Sequence, residues 1–157
     1  GQFQTLGGSL RAQYRMGKRL TLGVGGSYIG QRNVLENGQG NTRFYFSPEA
    51  SLDVAYRIPK AEITVSIFNK FNGEVQAILL DSEGNQTNQY LAPFNTLDIS
   101  LNRRFWQDRI SLTVGAKNLF NVTNIEATAT GVHSAGTNAP IAWGRSIFAT
   151  LNFTFSK

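Results

Sequence analysis

The sequence contains no cysteine, so disulfides, thiolate metal ligands and cysteine nucleophiles are all excluded. It has a single histidine, His133, which leaves almost no repertoire for metal binding or acid–base chemistry. Charged residues make up only 16% of the chain, where an ordinary globular domain has about a quarter. No apolar run approaches the roughly 18 residues that a transmembrane helix needs. Helical periodicity is nearly absent as well, which removes helical bundles and α/β folds. The formal charge of +5 raises nucleic acid as a partner, but the 15 Lys and Arg are scattered singly along the chain instead of clustering. No nucleic-acid partner is expected.

What is present is alternation of period two, from end to end. In residues 43 to 58, Phe44, Phe46, Ala50, Leu52, Val54, Tyr56 and Ile58 occupy even positions, while Arg43, Tyr45, Ser47, Glu49, Ser51, Asp53 and Arg57 occupy odd ones. Pro48 falls on the even side and predicts a bulge or an unpaired position, because it has no N–H for the ladder. Seven such segments lie at about 3–15, 19–33, 42–58, 61–79, 89–104, 109–121 and 144–156. Short connections ("RMGKR", "IPKA", "FWQDR") alternate strictly with long polar ones ("QRNVLENGQGN", "LDSEGNQTNQ" and 121–143).

An up-and-down meander with tight turns at one end and long loops at the other is the pattern of outer-membrane barrels. The segments are also longer than the roughly 3–10 residues of soluble strands. Aromatics gather at both ends: Tyr28, Phe44, Tyr45, Phe46, Phe71, Tyr90, Phe94, Phe120 and Trp143 towards the long loops, Tyr14, Tyr56, Phe105, Trp106, Phe153 and Phe155 towards the short turns. Two girdles around an aliphatic band suit a bilayer, and mid-strand Glu49, Asp53, Asp98, Asn102 and Asn152 suit a wet lumen. A soluble sandwich or lipocalin-like barrel also alternates but does not require either feature. The fold expected is all-β: an antiparallel up-and-down transmembrane β-barrel segment of about seven strands. Short turns would face the periplasm. Arg11, Arg15, Lys18, Arg19, Arg57, Lys60, Arg103, Arg104, Arg109 and Lys157 would then lie towards that end, a bias for which the sequence gives no reason.

The stretch "LTVGAKNLFNVTN" followed by a long connection and "WGRSIFATLNFTF" resembles the C-terminus of TonB-dependent outer-membrane receptors. Asn118-Leu119-Phe120-Asn121 matches the Asn-Leu-Phe-Asn element of that family, and Gly144-Arg145 its Gly-Arg lead-in to the last strand. Phe120 is expected to continue the lipid-facing register of 110–116, with Asn118 and Asn121 hydrogen-bonding the backbone where the ladder ends. "LDISLNRRFWQDR" has the flavour of a Bacteroidota member. The resemblance implies a 22-stranded barrel closed by an N-terminal plug, so residues 1–157 would be the C-terminal part of the barrel, with the plug and the TonB-binding segment outside this sequence. Phe153 and Phe155 would form the C-terminal strand read by the barrel assembly machinery, although Ser156 and Lys157 follow where the family ends on an aromatic.

The function so implied is uptake of a scarce nutrient (siderophore, haem, cobalamin or glycan) across the bacterial outer membrane, energised by TonB. The alternatives are a passive porin or other unplugged barrel, and a soluble β-sheet binding protein. Expected partners are outer-membrane lipid and lipopolysaccharide, the TonB complex through the N-terminal part, and a surface lipoprotein. No cofactor and no enzymatic activity are expected: Glu49 and Asp53 share a strand face but are about 13 Å apart along it, too far for paired acid–base work. His133, in "TGVHSAGTNAP", and Trp143 are the candidate ligand contacts. The region from Ile125 to Ala142 is expected to be a mobile extracellular loop, because it is rich in small and polar residues.

Overall fold

The computed structural model describes residues 2–34, 43–80, 86–129, 137–140 and 143–155. Among these the chain is all-β, with no helix. In chain order the strands are β1 (Gln2–Met16), β2 (Leu20–Val34), β3 (Tyr45–Ile58), β4 (Ile63–Asn72), β5 (Val75–Leu80), β6 (Gln86–Leu91), β7 (Phe94–Phe105), β8 (Ile110–Lys117), β9 (Asn124–Ala129), β10 (Thr137–Pro140) and β11 (Ser146–Phe153). They form a seven-stranded antiparallel sheet in the order β1-β2-β3-β4-β7-β8-β11, and a four-stranded sheet in the order β10-β9-β6-β5.

All seven alternating segments contribute a strand to the larger sheet, but two of them do not stay in it. Residues 61–79 and 89–104, expected as one strand each, divide into β4 and β5 and into β6 and β7. The first break falls at Gly73, whose N–H donates to the Pro48 carbonyl at 2.7 Å. A Cβ at Gly73 would lie 2.5 Å from that oxygen, so only glycine permits the approach. The second break falls at Pro93, which has no N–H to extend a ladder. Beside it, Ala92 donates to Glu126 at 2.9 Å and so ties β6 to β9. The long connections are thus partly strand, and β9 and β10 pair where a mobile loop was expected. Their ladder satisfies backbone groups that an irregular excursion would leave to solvent.

Pro48 causes no bulge. Its register against β2 runs unbroken from Ser27↔Glu49 to Tyr28↔Pro48, and the missing N–H shows only on the β4 side, where the ladder ends at Glu49↔Asn72. The tight turns use left-handed backbone. Gly17 has φ +60, and Trp106, Gln107 and Asp108 have φ +51, +56 and +64 in succession.

Register sorts the two faces. Tyr14, Leu22, Val54, Ile67, Ile99, Ala116 and Ile147 are paired across the whole sheet on one face. On the other face, one residue further along, run Arg15, Thr21, Ala55, Ser66, Ser100, Gly115 and Phe148. On the polar face Arg11 reaches over β2 to Asp53, with Nη2 to Oδ2 at 3.0 Å. Two strand spacings, about 9.6 Å, separate their backbones. The bridge closes because Gly23 and Gly25 leave β2 bare there; a Cβ would lie 3.1 Å from Asp53 Oδ2 or 2.7 Å from Ser51 Oγ. Lys70 pairs with Glu49 at 3.2 Å, and Asn102 donates to Thr113 at 2.8 Å and Ser111 at 3.2 Å.

The apolar face covers nothing. Among the described residues Ile125 is the one buried hydrophobic side chain, while Leu10 is 79% and Ile147 88% exposed. The accessible surface is 11548 Å², against roughly 7,800 Å² for a compact monomer of this mass. Among the described residues the seven-stranded sheet has two contrasting faces and no core beneath either.

Gly115 tests the packing. A Cβ there would lie 2.6 Å from the Phe148 ring and 2.7 Å from the Ile99 carbonyl, whereas nothing lies within 4 Å of a Cβ at Gly8. Gly115→Ala is expected to cost about 1–3 kcal/mol and Gly8→Ala nothing resolvable, measured as the shift in the urea midpoint of the folded protein.

Candidate functional site

Two places concentrate polar chemistry: the junction at the end of β8, and a hollow on the polar face. The junction begins where alternation stops. β8 ends at Lys117, and Asn118 turns the backbone into the left-handed region at φ +53, which asparagine tolerates better than most residues. Asn121 does the same at φ +57, and its N–H donates to the Asn118 carbonyl at 2.8 Å, closing a four-residue turn. The register expected to carry through Phe120 therefore stops at Lys117. Phe120 lies on the turn, half exposed, and Asn118 is 8% exposed and does not face outward with the apolar row. Leu119 fixes the turn to the sheet by donating its N–H to Leu97 at 2.8 Å.

The carboxamide of Asn118 is fully used. Its Oδ1 accepts from the Val122 N–H at 3.0 Å, and its Nδ2 donates to the Val122 carbonyl at 2.9 Å and the Trp143 carbonyl at 3.3 Å. Its own N–H donates to Asp98 Oδ1 at 2.8 Å. Asn121 Oδ1 accepts from the Arg145 N–H at 3.1 Å, and a Cβ on Gly144 would lie 2.9 Å from that oxygen. The two asparagines thus join the start and the end of the excursion 122–143. The expectation that they bond backbone where the ladder ends holds for both. Sequence reasoning missed Asp98, which sits one residue before Ile99 on the polar face; nothing in its local pattern marks it as a capping acceptor.

The other expected site residues are placed as follows. The Trp143 side chain is 92% exposed, and its contribution to the junction is its main-chain oxygen. His133 lies outside the described residues. Phe153 ends β11, with its ring stacked on Phe155 at 6.5 Å between centroids. The Thr154 N–H donates to the Arg109 carbonyl at 2.8 Å, so the β8–β11 ladder runs one bond past Phe153↔Ile110.

The hollow on the polar face has a volume of about 390 Å³ and is lined by Arg11, Asp53, Ser66, Asp98, Ser100 and Lys117, with Phe148 at one side. Lys117 Nζ lies 5.4 Å from the centre of the Phe148 ring. Asp53 is engaged by Arg11 and Asp98 by a backbone N–H, so neither is placed as a proton-transfer group. Among the described residues no three His, Cys, Asp or Glu side chains are grouped to hold a metal ion. The hollow is open and mixed, with charges of both signs and hydroxyls beside the apolar side chains of Val54, Ile67, Phe68 and Phe148. No helix among the described residues is long and apolar enough to cross a membrane, which leaves strands untouched by that criterion. No protein-family model, curated protein or solved structure matches this chain.

Asn118→Ala leaves two carbonyls and one N–H of the junction without their partner. A loss of about 2–4 kcal/mol is expected, against less than about 1 kcal/mol for the half-exposed Phe120→Ala. Equal shifts in the denaturation midpoints of the two variants would show that the carboxamide network does not hold the junction.

Proposed function

We propose that this chain is part of the wall of an outer-membrane β-barrel, the C-terminal part of a TonB-dependent receptor that imports a scarce nutrient. One observation carries the reading: a seven-stranded meander with one continuous apolar face, one continuous polar face and no core beneath either. Such a sheet is stable where lipid covers the apolar face and water the polar one. Strand length supports it. The 15 residues of β1 span about 50 Å, or about 35 Å along the bilayer normal at a tilt of about 45°, enough to cross. The outer edges of β1 and β11 are unpaired among the described residues, as expected if further strands continue the wall on both sides.

The receptor reading over a passive porin rests on the motif resemblance, strengthened by a specific contact. The two sequence elements that carry the resemblance, Asn118–Asn121 and Trp143–Arg145, hydrogen-bond to each other and hold the base of the long excursion. The excursion that leaves this junction pairs as β9 and β10. In this reading β5, β6, β9 and β10 form an extracellular sheet that meets ligand or a surface lipoprotein, and Phe153 and Phe155 belong to the strand delivered to the assembly machinery.

Two measurements test it. Ile99→Arg on the apolar face is expected to cost roughly 2–4 kcal/mol for folding into lipid and Ser100→Arg, one residue on, much less. Equal costs would mean that lipid does not cover the Ile99 face. Separately, deletion of 130–136 in the full-length receptor removes His133 and spares the paired residues of β9 and β10. It is expected to leave surface abundance unchanged and to slow growth on the limiting nutrient. Unchanged growth at unchanged abundance would take this hairpin tip out of ligand capture.

A further inference from the structure

The apolar face carries an arginine at each end, and each lies against an aromatic ring. Arg103 occurs in the row Ile58, Ile63, Arg103, Leu112, Leu151, where every other member is aliphatic. The row towards the short turns holds Phe105, Ile110 and Phe153. No acidic side chain interrupts either row, and among the described residues Arg103 forms no ion pair. Its guanidinium carbon lies 4.8 Å from the centre of the Phe105 ring. Phe105 is two residues further on the same face, so the side chain runs along the strand towards the turn end, away from the middle of the apolar band. Arg32 repeats the arrangement at the opposite end, 4.8 Å from the Phe44 ring, with Nε donating to Gln4 at 2.7 Å.

Both arginines stand at the margins of the apolar band. Arg32 stands one residue beyond the Gln31↔Tyr45 pair, level with Phe44, and Arg103 stands level with Ile58. Fourteen residue steps along β3 make roughly 46 Å, and the three strand spacings from β2 to β7 add about 14 Å across the strands. At a tilt of about 45° the two levels therefore stand roughly 23 or 43 Å apart along the normal, according to the sense of the tilt, a range that brackets the roughly 30 Å hydrocarbon thickness of a bilayer. Arg103, two residues from the end of β7 and with its side chain directed towards the turn, lies at the margin of the apolar band, within reach of lipid phosphates. A planar guanidinium backed on one side by a ring keeps its N–H fork free for two phosphate oxygens.

We propose that Arg103 is a phospholipid anchor: its guanidinium, held against Phe105, binds the phosphodiester of a lipid in the leaflet on the short-turn side and fixes the depth of the sheet in the membrane. The proposal rests on the membrane-barrel reading and adds to it a specific lipid contact. It also gives a reason for part of the basic bias at this end, since Arg103 faces the lipid whereas Arg15, Arg57 and Arg104 belong to the opposite face.

The test uses the full-length receptor in detergent, mass-analysed intact with either phosphatidylglycerol or a diacylglycerol of the same chains, which lacks the phosphate. Wild type is expected to retain phosphatidylglycerol over diacylglycerol. Arg103→Ala is expected to lower the phosphatidylglycerol-bound fraction by about fivefold, the scale of one surface Arg on an anionic lipid, with diacylglycerol retention unchanged. Arg103→Lys keeps the charge but loses the fork and stack, and should recover only part of the retention. Phe105→Leu should lower it while leaving the cation in place. Folding is read from the heat-modifiable band, with Arg103→Gln as the replacement if the alanine variant fails to fold. Wild-type retention by a folded Arg103→Ala or Arg103→Gln variant overturns the anchor. Detergent-phase partition of the wild type separates the two ideas: a partitioning protein with an indifferent Arg103 loses the anchor alone, and one that stays in the aqueous phase loses the membrane reading too.

Discussion

Everything described in this molecule depends on a backbone ladder that closes within the sheet while a broad apolar band on one face has no second layer over it among the described residues. Folding a chain of this size ordinarily hides its apolar side chains against each other. Here the strands run side by side through seven positions, and among the described residues no second layer lies over the band from Leu10 to Ile147. The hydrogen bonds close laterally within the sheet, and among the described residues no partner layer takes up its apolar face. In the membrane reading proposed above, a hydrocarbon phase would cover that face without competing for a single N–H.

The polar face is built under the same constraint from the other side. Its charges are paired across strands: Arg11 spans β2 to Asp53, and Lys70 meets Glu49 with Ser27 beside it. Exposed pairs of this kind add little stability each. Their value lies in placement, since they hold long side chains flat against the wall and keep the space in front of it open. The glycines of β2 serve the same end by letting Arg11 cross. In the proposed membrane reading, charge, girdle and glycine positions all answer to one sheet facing two solvents.

At the upper end the ladder must stop without leaving backbone groups stranded, and Asn118 does this. Its backbone turns left-handed, its N–H goes to Asp98, and its carboxamide gathers the two ends of the 122–143 excursion. The excursion itself pairs through β9 and β10 with β6, so what leaves the wall is another sheet rather than a slack loop. The junction therefore couples the wall to whatever the upper sheet contacts.

Much of this was legible in the residues alone. Alternation fixes which side chains share a face, because the period of a strand is two and any register error would expose the whole apolar set; hence the all-β class, the seven segments and the facing of Ile99 against Ser100 all followed from pattern. The role of Asn118 and Asn121 as strand terminators followed from their chemistry. What pattern could not decide was where a strand changes sheets, because alternation runs straight through Gly73 and Pro93 while the hydrogen-bond partners change. It also could not place Phe120, since a period says nothing about a left-handed residue that ends it. Nor could it pair Asp98 with Asn118, Asn121 with Arg145, or Arg103 with Phe105 in a row of aliphatics. Those are facts of register and of distance across strands, and only the folded sheet sets them.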